Sequence, residues 1–260
     1  MSDGYIHGGT DAREVARLEK QADFVSAFTF PRVDAAPGHR VLDLACGVGA
    51  MASRLLRAFP GIALVGVDLS APQLRACRQN HPALPVARAT GAQLPFADQT
   101  FDRVHCSWLL EHVAHPAGIV REVRRVLKPG GACHFIEVDN RSLSTRPHLP
   151  EVHALVARLN AAQRRAGGDP FIGPTLEPLF EAAGFSQLDV SPVALVGTQA
   201  DRAFLGAFIE EWAEIFESLD ESLGHETSGL IERASAQLRG LLSEPDVELR
   251  YAPWLVRAVR

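Results

Sequence analysis

The sequence has few cysteines and no metal or disulfide pattern: Cys46, Cys77, Cys106 and Cys133 are scattered, without a Cys-x-x-Cys pair. This argues against a disulfide framework and reads as reduced thiols of a cytoplasmic protein. No apolar run approaches the roughly 18 residues that a membrane span needs. Met1-Ser2-Asp3-Gly4 lacks the apolar segment of a secretory signal. There is no excess of positive charge: Lys and Arg number 26 against 31 Asp and Glu, for a net charge of −5. A nucleic-acid partner is therefore not expected. Arg121, Arg124, Arg125 and Lys128 cluster at helical spacing, which reads as a solvated helix face. His112 and His115 are three apart, but no Asp or Cys at ligand spacing joins them, so no metal centre is expected. Repeats and low-complexity tracts are also missing.

What is present is a regular alternation of strand and helix patterns. The apolar share of 47% is ordinary, and 260 residues suit one α/β domain with additions. Such a chain buries roughly three quarters of its unfolded surface. Val15, Leu18, Ala22 and Val25 give a helical pattern over Asp11–Phe28, and Pro31 and Pro37-Gly38 then break the chain. Strands are expected at Arg40–Ala45, Leu64–Leu69, Val86–Thr90, Phe101–Trp108 and Ala132–Asp139. Helices are expected at Ala50–Ala58, after the cap Ser70 with Pro72 in its first turn, and at Pro116–Leu127. This order argues for a mainly parallel sheet covered on both faces, with ligands outside the carboxyl ends of the strands. Further on, Pro150–Ala166 and Thr175–Ala183 read as helices and Leu188–Val196 as one strand. Asp201 to about Leu242 reads as a helical stretch broken near Gly224 and Gly229, and Trp254–Val259 as a last strand.

The segment Val41-Leu42-Asp43-Leu44-Ala45-Cys46-Gly47-Val48-Gly49-Ala50 runs an apolar strand into a glycine turn and a helix. About 20 residues later, Gly66-Val67-Asp68 ends a second strand on a carboxylate. This arrangement lets backbone approach a nucleoside and gives ribose hydroxyls an acidic acceptor. A dinucleotide fold normally adds a third glycine, and here that register holds Ala52. Asp43 would repel a pyrophosphate and suits a cofactor with a positively charged amino-acid end.

The ordered set Asp43, Cys46-Gly47, Gly49 and Asp68 resembles the class I S-adenosylmethionine-dependent methyltransferases. Leu94-Pro95-Phe96-Ala97-Asp98 before Phe101-Asp102-Arg103-Val104, Leu110-Glu111-His112-Val113 and Arg125–Gly131 are similar to that family's later signatures. Tyr5-Ile6-His7-Gly8, Glu14–Leu18 and Gln21-Ala22, and later Gln163, Gly167–Pro170 and Ile172-Gly173, resemble a bacterial and fungal subgroup that works on small metabolites. The resemblance implies a Rossmann-like, doubly wound α/β fold with a mainly parallel seven-stranded sheet and one domain over residues 1–260. Residues 1–39 would form an N-terminal lid, 40–146 the cofactor core, 147–184 and 200–242 a helical cap, and 185–199 and 251–260 the closing strands.

It also implies S-adenosyl-L-methionine as cofactor, S-adenosyl-L-homocysteine as product, and a small-molecule acceptor, with no membrane partner; a homodimer stays open. Asp43, Ala45, Gly47 and Gly49 would wrap the methionine end and Asp68 the ribose, with Leu69 beside it. Adenine would lie by Thr90, Gly91 and Ala92; Thr90 stands where the family usually has an acid. Cys106 and Ser107 would pass the methionine end, a plain core place being as good for Cys106. Tyr5, Arg17 and Gln21 would fold over the cofactor, against a disordered tail for Tyr5.

No nucleophile–histidine–carboxylate triad is needed or found, because direct displacement asks for at most one base. Candidates for that base are His112, beside Glu111, with a helix-start histidine bonded to backbone as the alternative, and Glu137 and Asp139 at the end of the fifth strand, with pairing to Arg141 or Arg146 as the alternative. Phe171, Phe208, Trp212 and Phe216 read as packing residues. Natural-product O- or N-methylation, C-methylation beside a keto acid, a non-catalytic binder of the same cofactor and a nicotinamide oxidoreductase all remain readings of these residues.

Overall fold

The structure, a computed structural model, describes residues 12–219, 223–224 and 227–260. Its helices are α1 (Ala12–Thr29), α2 (Ala50–Ala58), α3 (Ala71–Asn80), α4 (Pro116–Val126), α5 (Pro150–Arg165), α6 (Leu176–Ala182), α7 (Arg202–Glu217) and α8 (Ser228–Gly240). Its strands are β1 (Arg40–Leu44), β2 (Ala63–Asp68), β3 (Val86–Arg88), β4 (Phe101–Ser107), β5 (Leu127–Glu137) and β6 (Ser144–Arg146). Then come β7 (Ser186–Pro192), β8 (Leu195–Thr198), β9 (Glu248–Tyr251) and β10 (Trp254–Val259).

Seven strands form the main sheet in the order β3-β2-β1-β4-β5-β10-β7. β1 to β5 run parallel, and β10 is antiparallel to both its neighbours. The chain order reverses at β1, which lies between β2 and β4, so a crevice opens at the carboxyl ends of those strands. Leu42, Leu44, Val67, Val104 and Phe135 are buried, as near-continuous apolar strands must be when helices cover both faces. Side chains alternate across the sheet. Phe135 packs with α4 and α6 on one face, its ring 5.2 Å from that of Phe180. Its neighbour Ile136 meets Val25 of α1 on the other. Arg54 of α2 fastens α1 in place, bonding both carboxylate oxygens of Asp23 (2.9 and 2.7 Å) and the Glu19 carbonyl (2.8 Å).

A second core lies beyond the sheet's carboxyl end. The antiparallel sheet β6-β9-β8 packs there with α5, α7 and α8 around Leu155, Phe208, Phe216, Leu238 and Leu249. Three expectations change. Leu188–Val196 is two strands, because at Val193 the chain leaves β10 for the second sheet; the Val193 N–H bonds Pro253 O at 2.8 Å as it crosses. Gly229 breaks nothing, since it lies in the first turn of α8. The helix read at Thr175–Ala183 covers the main sheet instead of capping the crevice, because Leu176 and Phe180 find their apolar partners there. Among the described residues, no helix is long and apolar enough to cross a membrane.

Candidate active site

β1 ends in a turn with left-handed residues at Ala45 (φ 60°), Gly47 (φ 52°) and Gly49 (φ 86°). Asp68 closes that turn from the end of β2. Its Oδ2 accepts the Gly47 N–H at 2.9 Å and its Oδ1 the Ser70 N–H at 2.8 Å. Burial pushes the Asp68 pKa up, while these two N–H groups favour the carboxylate. The two glycines do different work. A Cβ on Gly49 would lie 2.6 Å from His81 Cδ2 and 2.8 Å from Cys77 Sγ, so Gly49 lets the turn press onto α3. A Cβ on Gly47 would meet only Gln73 Oε1, at 3.6 Å, and would project into the open crevice.

That crevice is a cavity of about 510 Å³, within the range of ligand pockets. Ala45, Gly47, Asp68, Leu69, Thr90 and Gly91 are among its walls. Gln73 Oε1 and Ser107 Oγ also line it, buried and without a hydrogen-bond partner among the described residues. Buried polar atoms are normally paired, so these two belong to a site that expects polar company.

A second cavity, of about 110 Å³, lies against the first. Gln21, Val25, Trp108 and His112 line both. The far walls are mostly apolar, with the rings of Phe24, Phe28, Phe208 and Trp212 among them, and carry the carboxyl groups of Glu111 and Glu211. His112 Nε2 lies 3.2 Å from Glu111 Oε1. Trp108 holds a positive φ of 56° at the junction, a strained conformation for a bulky residue and of the kind found at working sites. Glu211 accepts the Gln21 N–H at 2.8 Å, and burial pushes its carboxyl up to about 7.

The structure gathers some of the expected residues and separates others. Gln21, Ala45, Gly47, Asp68, Leu69, Thr90, Gly91, Ser107 and His112 line the larger cavity. Thr90 Oγ1 accepts the Ala92 N–H at 3.3 Å, and Ala92 lines neither cavity. Asp43 is buried behind the turn, its Oδ1 3.4 Å from His105 Nδ1 and its Oδ2 without a hydrogen-bond partner among the described residues. Gly49 faces α3. Cys106 is fully buried in the sheet, which pushes its thiol well up.

Arg17 lines only the second cavity, where it makes two bonds to Glu14 (2.8 and 2.7 Å). Asp139 is turned to Arg141, at 2.7 and 3.0 Å, and lines neither cavity. Glu137 is 0% exposed and accepts the N–H groups of Leu109 (3.2 Å), Leu110 (2.8 Å) and Glu111 (3.1 Å). A carboxylate used up in this way holds the turn that carries His112, and is not in reach of a ligand in either cavity. Tyr5 lies outside the described residues. Gln73, Trp108 and Glu211 were not singled out as site residues from the sequence; no local motif marks them, and only the folded chain brings them to the walls.

The methyltransferase-domain family matches residues 42–135, the segment from β1 to β5 that builds the larger cavity. The demethylmenaquinone methyltransferase of Corynebacterium kroppenstedtii is 40% identical over 110 residues, 41% of this chain and 46% of that protein. Methyltransferase GfsG of Streptomyces halstedii is 32% identical over 144 residues, 51% of this chain and 50% of that protein. The chain thus spans about half the length of these curated relatives. Among solved structures, an S-adenosylmethionine-dependent methyltransferase from Archaeoglobus fulgidus superposes with a TM-score of 0.59 at 15% identity, over 96% of this chain and all of that one. The [4+2]-cyclase SpnF superposes at 0.58 with 23% identity, over 93% of this chain and 81% of that one. A sheet shared by a cyclase and a methyltransferase is a likeness of fold alone. The likeness that bears on chemistry is that of the matched segment: residues 42–135 are similar to the methyltransferase domain, and to the corresponding part of S-adenosylmethionine-dependent relatives.

Proposed function

We propose that this protein transfers a methyl group from S-adenosylmethionine to a small metabolite, with the donor in the larger cavity and the acceptor in the smaller one. The observation that carries this reading is the shared wall of Gln21, Val25, Trp108 and His112, which puts two unequal cavities side by side. The larger one fits the donor's chemistry. Asp68 offers carboxylate oxygens where ribose hydroxyls need acceptors, and Gly47 leaves room for close approach. Leu69 and Ile119 supply apolar surface for a flat base, and Gln73 Oε1 and Ser107 Oγ are acceptors suited to an ammonium. When bound, the donor supplies a sulfonium methyl group that needs no further activation.

The chain's own part is then to align the acceptor, exclude water and take at most one proton. α1 and α7 close over the smaller cavity, joined by the Gln21–Glu211 bond and the Lys20–Glu214 pair, in keeping with α1 serving as a lid. His112 stands at the junction of donor and acceptor, backed by Glu111, and is the group placed to receive that proton. A role in natural-product biosynthesis in the cytoplasm is part of the proposal, supported by the small-molecule methyltransferase relatives and by four free cysteines.

Isothermal titration with S-adenosylhomocysteine tests the donor site. We expect one-to-one binding, weakened about tenfold or more by Asp68→Asn, since each tenfold is about 1.4 kcal/mol and the lost group is a charged acceptor. Absence of binding to the pure protein would overturn the reading.

A further inference from the structure

Resting on the donor site above, we propose that the smaller cavity takes a small apolar amine, so that the methyl group is delivered to nitrogen and not to oxygen or carbon. The first argument is size. An apolar cavity of about 150 Å³ holds one benzene ring, so a space of about 110 Å³ limits the acceptor to roughly a single ring or a short branched chain.

The second argument is the charge that the walls carry and the company of their polar groups. Tyr251 gives its hydroxyl proton to Asn140 Oδ1 (3.2 Å), Asn140 gives its amide to Asn160 (2.8 Å), and Gln163 gives its amide to the Glu111 carbonyl (3.1 Å). Gln21 likewise spends an amide proton on Glu211 Oε1. What sets the walls apart is their charge, with two carboxyl groups, Glu111 and Glu211, against one guanidinium; Glu211 is a carboxylate above its pKa of about 7. The cation in the wall, Arg17, forks onto Glu14. A ligand completing this set brings donors and positive charge. Aromatic walls with carboxylates among them are the usual surroundings of a bound ammonium.

The third argument is where charge goes in each reaction. The incoming ammonium gives one proton to His112, which passes it to solvent. The freed lone pair forms the N–C bond while the C–S bond breaks, its electron pair leaving with sulfur. Positive charge thus moves from the sulfonium to the new methylammonium, towards Glu111 and Glu211. Reaction at a phenol or beside a ketone runs the other way, because it builds an anion next to those carboxylates. The cavity contains a resident example: Tyr251, a phenol in its wall, has its pKa pushed well above 10 by burial and by Glu111, Asp139 and Glu137.

The test is titration of the S-adenosylhomocysteine-saturated protein with benzylamine, benzyl alcohol and benzoate, and with isobutylamine as the non-aromatic control. We expect at least one of the two amines to bind ten times more tightly or better than the alcohol and the acid. Glu211→Gln, which keeps an oxygen for Gln21, should erase that preference while leaving S-adenosylhomocysteine affinity unchanged. Equal binding of alcohol and amine, an advantage for benzoate, or no binding of either amine overturns the inference. So does a Glu211→Gln effect that is the same for amine and alcohol. Failure of S-adenosylhomocysteine to bind at the outset would sink the donor site instead, so the two failures are separable.

Discussion

Gly47 and Gly49 are two residues apart and both left-handed, yet they answer to different neighbours. Alanine at position 49 would meet both the backbone cost of φ 86° and contacts of 2.6 and 2.8 Å with His81 and Cys77. The backbone part alone is about 1–2 kcal/mol, and displaced core atoms add to it. Alanine at position 47 would carry only the backbone cost, because its Cβ points into the crevice. Urea unfolding and titration with S-adenosylhomocysteine should therefore separate them. Gly49→Ala should lose about 3 kcal/mol of stability. Gly47→Ala should lose about 1 kcal/mol of stability and at least tenfold in donor affinity. Equal effects of the two on stability would show that the turn does not divide its work in this way. The glycine spacing and Asp68 were legible in the sequence because that chemistry is local. That Gly49 serves α3 and that Asp43 sits behind the turn depends on tertiary neighbours, which no spacing reports.

The strands and helices from β1 to α4 follow the patterns of their own residues, and the expected bounds differ from the observed ones by a residue or two. The second sheet was missed because β6 and β8 are too short to show a period. β9 did carry a signal: Val247, Leu249 and Tyr251 are buried and alternate with Glu248 and Arg250, the mark of a strand with one face on a core. Glu137 shows how an element can recruit a residue that looks catalytic. It ends β5 and holds the short turn Leu110–His112 by its backbone N–H groups, although burial and the Glu111 carboxylate push its own pKa up. Glu137→Ala would leave those buried donors without an acceptor, at about 1–3 kcal/mol for each orphaned group. We expect the amides of Leu109, Leu110 and Glu111 to lose hydrogen-exchange protection in that variant while those of β1 and β4 keep theirs. Unchanged protection of the three would remove Glu137 from its positioning role.

Across the whole molecule, α1 is where the two cores meet. Val25 reaches the main sheet, Phe24 and Phe28 pack against the second core, and Gln21 bonds Glu211 of α7. Stability depends on pH in a way that separates a carboxyl group at the main sheet, Asp34, from one at this seam, Glu211. Asp34, bonded by His134, Arg257 and Arg103, has its pKa lowered by that company, so its contribution is present above its ordinary pKa of 3.8 and fades as the medium turns more acidic. Glu211 has the opposite sign. Burial and Glu214 raise it from 4.5 to about 7, against the favourable influence of Gln21 and Arg17. Between those two values the folded state holds a proton that the unfolded chain has released. Stability contributed by the neutral acid is therefore complete below 4.5 and is lost as pH rises through about 7. At about 1.4 kcal/mol per pKa unit, a shift from 4.5 to about 7 makes the full swing on the order of 3 kcal/mol. Glu211→Gln removes the titration and keeps an oxygen for Gln21, so the variant gains on the parent as pH rises from about 4.5 to about 7. Urea midpoints measured for both proteins across that window check this, because Asp34 and Glu137 act equally in the two chains and cancel. If the difference between the midpoints does not change with pH, the Glu211 carboxyl is ionised throughout and the seam between α1 and α7 is open to water.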